Sequence, residues 1–302
     1  MISLFLEDHY PVMDWLTTIL LSIALVYNLY FILPYFSIKP KTEIRTKHQI
    51  SLLSSNVHQE NDQYSRLIAL VKSTSPDILL TMETNKTWEK ALQPVENSFK
   101  SHLKIPLENK YGMHFYTNLK VHELNKRYLI SEKYPSIEAT LSDQEGHQFK
   151  FWGIHPPPPS PTEKPTSKVK DAELMLLAKR LKNEKLPVIV AGDFNNVCWS
   201  KTSKLFSKVS GLKDARLGRG IYGTFPAYAY VLRFPLDLVF NSTNLNIHKI
   251  KTLPSINSDH LPVLVNFSVK HAVRTANMHQ NYDSEKVKQT IKEGIKAKHN
   301  DH

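Results

Sequence analysis

Apolar residues are spaced along this chain in three rhythms, and each predicts a different element. The first is an unbroken run. Residues 15–38 include no charged side chain, and 16–33 are almost wholly aliphatic or aromatic. About 20 such residues in a helix cross a hydrocarbon layer roughly 30 Å thick, so a single transmembrane helix is expected at about 15–36. Trp15 at one end and Tyr30, Tyr35 and Phe36 at the other stand where interfacial aromatics belong. A cleaved leader fits poorly, because Glu7, Asp8 and Asp14 precede the run and no small-residue cleavage site follows it.

The second rhythm is short and β-rich. Runs at 77–83, 149–155 and 188–192 are rich in apolar residues, as strands buried on both faces would be, and 48–57 reads as a strand leading to Asn56. The stretch 102–148 is expected to be strand-rich, with weaker alternation at 111–116 and 136–141, and three runs at 236–241, 245–252 and 261–269 predict further strands. The third rhythm is helical. Leu67, Ile68, Leu70 and Val71 predict a helix over 66–73, and Leu174, Leu177, Ala178 and Leu181 one over 167–183. Helices are also expected at 87–99 and 202–209, while Pro156 to Pro159 force an extended exit from the strand before them.

Strands interleaved with a few helices predict one α/β (α+β) domain of two packed sheets over 49–269. Segment 1–36 carries the transmembrane helix, and 37–48 is a basic linker broken by Pro40. Beyond it, 270–302 is expected to be a basic, mobile tail, in which Val287, Ile291 and Ile295 make only a thin apolar stripe.

Charge sharpens this picture. The 302 residues hold 39 Lys and Arg against 28 Asp and Glu, a net charge of +11 that favours polyanionic partners such as nucleic acid or an anionic membrane face. Lys39, Lys41, Arg45 and Lys47 follow the apolar run and acids precede it, which puts the C-terminal domain on the cytoplasmic side. Cys198 is the sole cysteine, so an internal disulfide and a thiolate zinc site are excluded.

The candidate chemistry lies at strand ends. Asn56, Glu83, His155, Asp193 with Asn195, Asp237, and Asp259 with His260 each terminate or adjoin an apolar run. Any one of them could be a turn former or a satisfied polar residue. Several carboxylates converging on one sheet edge, however, need a cation, a histidine or water to offset their desolvation. Oxygen donors without a thiolate suit a hard ion, Mg²⁺ or Mn²⁺. Such an ion beside a histidine–aspartate pair can hydrolyse a phosphoester.

The segments Ser54-Ser55-Asn56-Val57, Leu80-Thr81-Met82-Glu83, Gly153-Ile154-His155, Gly192-Asp193-Phe194-Asn195 and Ser258-Asp259-His260 together resemble the endonuclease/exonuclease/phosphatase family. The likeness spans about 49–269. With the proline run and the apolar N-terminus, it is similar to a bacterial, membrane-anchored branch. It implies the DNase I-like fold, a four-layer sandwich of two mixed sheets flanked by helices. It also implies roles: Glu83 as principal metal ligand, with Asn56 and Asp259 completing or supporting the coordination of Mg²⁺ or Mn²⁺. Asp193 would orient the attacking water and Asn195 would hold the phosphate. His260, charged by Asp237, would bind the scissile phosphate, and His155 would be the second histidine. The chain departs from the family pattern where Thr81-Met82 stands for Leu-Gln and Asn118 for a basic residue. The expected substrate is a phosphodiester. Nucleic acid is favoured by charge, a phospholipid or its headgroup by the apolar helix, and a non-catalytic tethered binding protein is the remaining reading.

Overall fold

A computed structural model describes residues 11–36, 49–159, 166–270 and 282–299, so the expected linker at 37–48 and part of the tail lie outside the described residues. In chain order the elements are α1 (Pro11–Ile32), β1 (Ile50–Asn56), α2 (Tyr64–Thr74), β2 (Ile78–Met82), α3 (Lys86–Ala91), α4 (Gln93–Glu96), β3 (Ser101–Ile105), β4 (Met113–Thr117), β5 (Lys120–Tyr128) and β6 (Pro135–Ser142). They continue with β7 (Gln148–Ile154), α5 (Lys168–Lys182), β8 (Val188–Asp193), α6 (Lys201–Ser210), β9 (Lys213–Asp214), β10 (Asp237–Asn241), β11 (Leu245–Thr252), β12 (Val263–Val269) and α7 (Ser284–His299).

Two six-stranded sheets result, ordered β11-β12-β1-β2-β4-β3 and β5-β6-β7-β8-β10-β9. Each has one parallel pair at its centre, β1 with β2 and β7 with β8, and antiparallel neighbours around it. Side chains alternate across a strand, and the central strands are apolar on both faces for that reason. Leu52, Ile78, Leu80, Ile189 and Ala191 point into the core between the sheets. Leu53 and Leu79 point outward under α2, α3 and α4, beside Leu67, Trp88 and Val95. On the second sheet Val188, Val190 and Phe240 pack under α5 and α6, beside Leu174, Leu177 and Phe206. The four layers are therefore helix, sheet, sheet, helix.

Three sequence expectations change. The helix at 87–99 is two short helices, because Pro94 enters at the start of α4, where a helix can begin but not continue. Second, the stretch 102–148, expected to be strand-rich as a whole, resolves two strands that no delimited run marked, β3 and β5. Both are largely polar and partly exposed, and β3 and β5 are edge strands with no second apolar face to show in the sequence. Third, residues 284–299 are not a mobile tail but a helix laid along α5. Val287 is buried against the α5 layer, and a Cβ on Gly294 would stand 2.2 Å from that of Ala172, so only glycine permits the approach. Ile295, the third residue of the thin stripe, stays exposed.

α1 is exposed along most of its length and, among the described residues, is the one helix long and apolar enough to cross a membrane. Its end is tied to the domain. Gly218 N donates to Pro34 O (3.0 Å) and Gly220 N to Tyr35 O (2.8 Å). Tyr35 is buried beside Trp199, and Lys204 Nζ lies 3.6 Å from the Phe31 ring centre.

On α5, Glu173 is buried with no hydrogen-bond partner for either carboxyl oxygen among the described residues, and burial pushes its pKa up to about 8. The native state therefore holds a proton that the unfolded chain releases near pH 4.5. Stability from this group is fully present below that pH and is lost as pH rises through about 8. Glu173→Met should flatten this fall, with a gain on the order of a few kcal/mol at alkaline pH, read as denaturation midpoints of the detergent-solubilised chain at pH 5 and pH 8.5.

Candidate active site

Backbone register brings the polar strand ends together. Asn56 is level with Met82 in the parallel β1–β2 pair, so Glu83 leaves β2 beside it. In the other sheet Ile154 is level with Gly192, so His155 and Asp193 leave β7 and β8 side by side. Asp237 is directly opposite Asp193 across β8–β10. Asp259 and His260 precede β12, the antiparallel neighbour of β1. The β7–β8 approach is so close at this point that a Cβ on Gly192 would lie 1.9 Å from the Ile154 carbonyl oxygen. With φ at 146° as well, no other residue fits there. Three residues around the rim, His58, Glu83 and Asn195, are also held with positive φ (57°, 62° and 49°). Non-glycine residues adopt this region at a cost that the surrounding structure must offset.

Asp193 is the centre. Its Oδ2 lies 3.5 Å from His260 Nε2 and 3.7 Å from His155 Nε2, and it accepts from Asn56 Nδ2 at 3.2 Å. Its Oδ1 accepts from Asn195 N at 2.8 Å. Burial by itself would raise the Asp193 pKa, but the two histidines, the Asn195 amide and Asn56 outweigh it and hold the carboxylate below its ordinary value. On its other side His260 donates Nδ1–H to Asp237 Oδ2 at 2.8 Å. Burial would lower the His260 pKa, yet Asp237 and Asp193 overcome that and carry it to about 10. Burial raises the Asp237 pKa against the opposing pull of His260. His260 is thus an imidazolium with its Nε2–H turned towards the cleft residue Asp193. Phe225 lies against the His260 ring and Tyr111 against that of His155, with centroids 4.9 and 5.3 Å apart.

A second group of carboxylates adjoins the first. Glu83 Oε1 accepts from Asn56 Nδ2 at 2.8 Å and Oε2 from Gln59 N at 3.2 Å. His58 Nδ1 stands 3.9 Å from Glu83 Oε2 and 3.5 Å from Asp259 Oδ1, so two carboxylates face one ring nitrogen. These oxygen donors, half-open to solvent, fit a hard divalent cation. The Asp193–Asp237–His260 group does not, because the His260 imidazolium already balances it. Asn56 donates to both Glu83 and Asp193 and accepts from His58 N at 3.0 Å, so in this arrangement it positions the two carboxylates relative to each other.

All eight residues expected from the sequence, Asn56, Glu83, His155, Asp193, Asn195, Asp237, Asp259 and His260, fall in this one cluster. Asn195 also donates Nδ2–H to Pro156 O at 3.0 Å, which ties the start of the proline run to the site. Two members were missed. His58 gives no sequence signal of its own. Lys170 does: it interrupts the apolar face of α5, is buried, and donates to Asn195 O at 2.9 Å. Burial lowers its pKa, partly opposed by Asp171 and Asp193.

Two mixed sheets with helices outside and a carboxylate–histidine cluster at the strand ends define a DNase I-like hydrolase architecture. The model of the Endonuclease/Exonuclease/phosphatase family matches residues 26–260, and the chain belongs to that family. Its members are phosphoester hydrolases, and this chain is one of them. Solved structures share the fold. A Danio rerio TDP2 complexed with a single-strand DNA product superposes with a TM-score of 0.63 at 15% identity, covering 73% of this chain and 99% of that one. The human Nocturnin catalytic domain gives 0.61 at 20% identity, covering 75% and 97%. A mannosyl-6-phosphatase of Bacteroides thetaiotaomicron gives 0.56 at 17%, covering 72% and 99%. In sequence, a UPF0294 protein of Vibrio campbellii is 34% identical over 98 residues, which spans about a third of each protein (32% and 33%).

The Asp237–His260 pair makes a direct prediction. The ¹⁵N shifts of His260 should remain those of an imidazolium through pH 9 in the native protein. In Asp237→Asn the ring should release its proton at a clearly lower pH.

Proposed function

We propose that the protein is a membrane-anchored phosphodiester hydrolase that depends on a divalent cation. One observation carries the reading: an ionised, buried Asp193 stands between two histidines and shares Asn56 with Glu83. Asp193 Oδ2 is the base that orients the attacking water and takes its proton. Asn195, whose backbone is pinned to Asp193 and whose side chain is pinned to Pro156, holds a phosphoryl oxygen. The His260 imidazolium donates Nε2–H to a second oxygen as negative charge grows in the phosphorane, and Asp237 keeps that proton in place. His155 serves the leaving oxygen. Glu83 and Asp259 would hold Mg²⁺ or Mn²⁺, with Asn56 fixing Glu83, and the ion when bound would supply Lewis-acid neutralisation of the phosphate.

The net charge of +11 favours nucleic acid as the substrate, and a related fold holds a DNA product in TDP2. The apolar α1 favours a phospholipid or headgroup diester. By the basic flank after α1 the domain faces the cytoplasm, which a C-terminal reporter fusion tests.

The reaction itself is tested with the full chain in detergent and bis(p-nitrophenyl) phosphate. Chelation should abolish turnover and Mg²⁺ or Mn²⁺ restore it. Glu83→Gln, Asp193→Asn and His260→Ala should each lower kcat by about 100-fold or more. Full turnover in both Glu83→Gln and His260→Ala would refute the assignment.

A further inference from the structure

The loop at 226–234 is unlike any other surface of the domain. Tyr228, Tyr230, Val231 and Leu232 are 85%, 89%, 90% and 73% exposed, and Phe234 is half-exposed. Outside α1 and the turn that ends it, the other exposed large apolar side chains among the described residues are Tyr128 and Ile295, at only 41% and 43%. Water-exposed valine and leucine at a loop tip are unfavourable unless something covers them.

The loop is rigid at its base and attached to the site. Phe225 and Phe234 pair across its neck, with Phe225 N donating to Phe234 O at 3.0 Å and Phe234 N to Phe225 O at 2.5 Å. Arg233 Nη2 donates to Ala227 O at 2.6 Å and its guanidinium lies over the Tyr230 ring. Ala227 N donates to Asp259 O at 2.7 Å, and Phe225 packs on His260. The apolar tip therefore projects beside the cleft from a base that shares residues with it.

We propose that this loop is a second membrane contact, embedding its tip in the surface of the bilayer that α1 enters. The cleft would then draw its phosphodiester from an amphiphile carried in that bilayer. This rests on the proposed reading of α1 as an anchor and of the site as a phosphodiester hydrolase. Two observations name the occupant. Gly220, which clamps the end of α1, precedes the neck residue Phe225 by five positions, a span of at most about 18 Å. The neck is therefore close to the point where α1 leaves the domain. The chemistry of the tip also discriminates. Tyrosines with valine and leucine match the polar–apolar boundary of a bilayer. Nucleic acid would call for cations along the loop, but between 221 and 236 the sole charged residue is Arg233, already engaged with Ala227 and Tyr230. The loop thus reverses the substrate order that net charge suggests.

The test uses the full chain reconstituted into phosphatidylcholine–phosphatidylglycerol vesicles. An environment-sensitive NBD label is placed at Val231→Cys, with Gln144→Cys on the exposed β6–β7 turn as control; Cys198 is buried. The Val231 label should shift to the blue and be quenched severalfold more by shallow doxyl lipids than the control label. Equal, weak quenching at both positions in carbonate-resistant protein would overturn the proposal. So would extraction of the protein by carbonate, or a blue shift that requires a single-stranded oligonucleotide instead of lipid. A second arm, in the same vesicles with sphingomyelin added as a third lipid, compares its turnover with that of bis(p-nitrophenyl) phosphate. In V231D/L232D the ratio of the two should fall by tenfold or more, and an unchanged ratio would count against the loop. Because the quenching signal needs no turnover, an inactive but quenched protein would sink the hydrolase reading while leaving the membrane contact standing.

Discussion

The structure depends on keeping one carboxylate charged in a place from which water is excluded. Asp193 sits where the edges of two sheets meet, and an isolated carboxylate buried there would take up a proton. Every neighbour that prevents this comes from a different segment: His155 from the end of β7, His260 from the approach to β12, Asn56 from the end of β1, and the Asn195 amide from the turn that follows. The requirement joins the two sheets. Asn56 of the first reaches Asp193 of the second, and the Asp193 amide donates to Met82 Sδ across the same gap at 3.1 Å. Charge balance and sheet packing are therefore one constraint, and loosening either would disturb the other.

Around that carboxylate the backbone is forced into costly conformations. Glu83 and Asn195 leave their strands through left-handed turns, which redirect their side chains sideways into the cleft instead of onward along the strand axis. Gly192 lets β7 and β8 approach closely by having no side chain. A site formed this way is rigid before a substrate arrives, so the hydrogen-bond donors need little reorganisation when charge develops.

Much of this was legible in the sequence, for an identifiable reason. β1, β2, β7 and β8 are buried on both faces, so β2 and β8 read as nearly continuous apolar runs and β1 and β7 as apolar runs with few polar breaks, and the polar residue at each end stands out. Edge strands β3 and β5 bury less, so within the strand-rich stretch 102–148 their bounds do not stand out. α7 was not legible because its docking rests on a vacancy: Gly294 marks the contact by what it lacks, and its partner Ala172 is more than a hundred residues away. His58 was invisible, since its place beside Glu83 and Asp259 comes from the turn after β1 and not from any periodicity. Lys170 could have been found, because a lysine on the buried face of an otherwise apolar helix needs an acceptor inside.

The two sheets carry a further implication. Position for position, β11-β12-β1-β2-β4-β3 and β5-β6-β7-β8-β10-β9 share the same pattern of parallel and antiparallel neighbours, and a helix joins the parallel strands in both. Asn56 and His155 end equivalent strands, as do Glu83 and Asp193. The cleft is thus a seam between two halves of common design. One half carries an amide and a partly exposed acid at its strand ends, and the other a histidine and a buried acid. A symmetric pair of separate subunits must carry the same residues at both places and could not have divided the labour in this way.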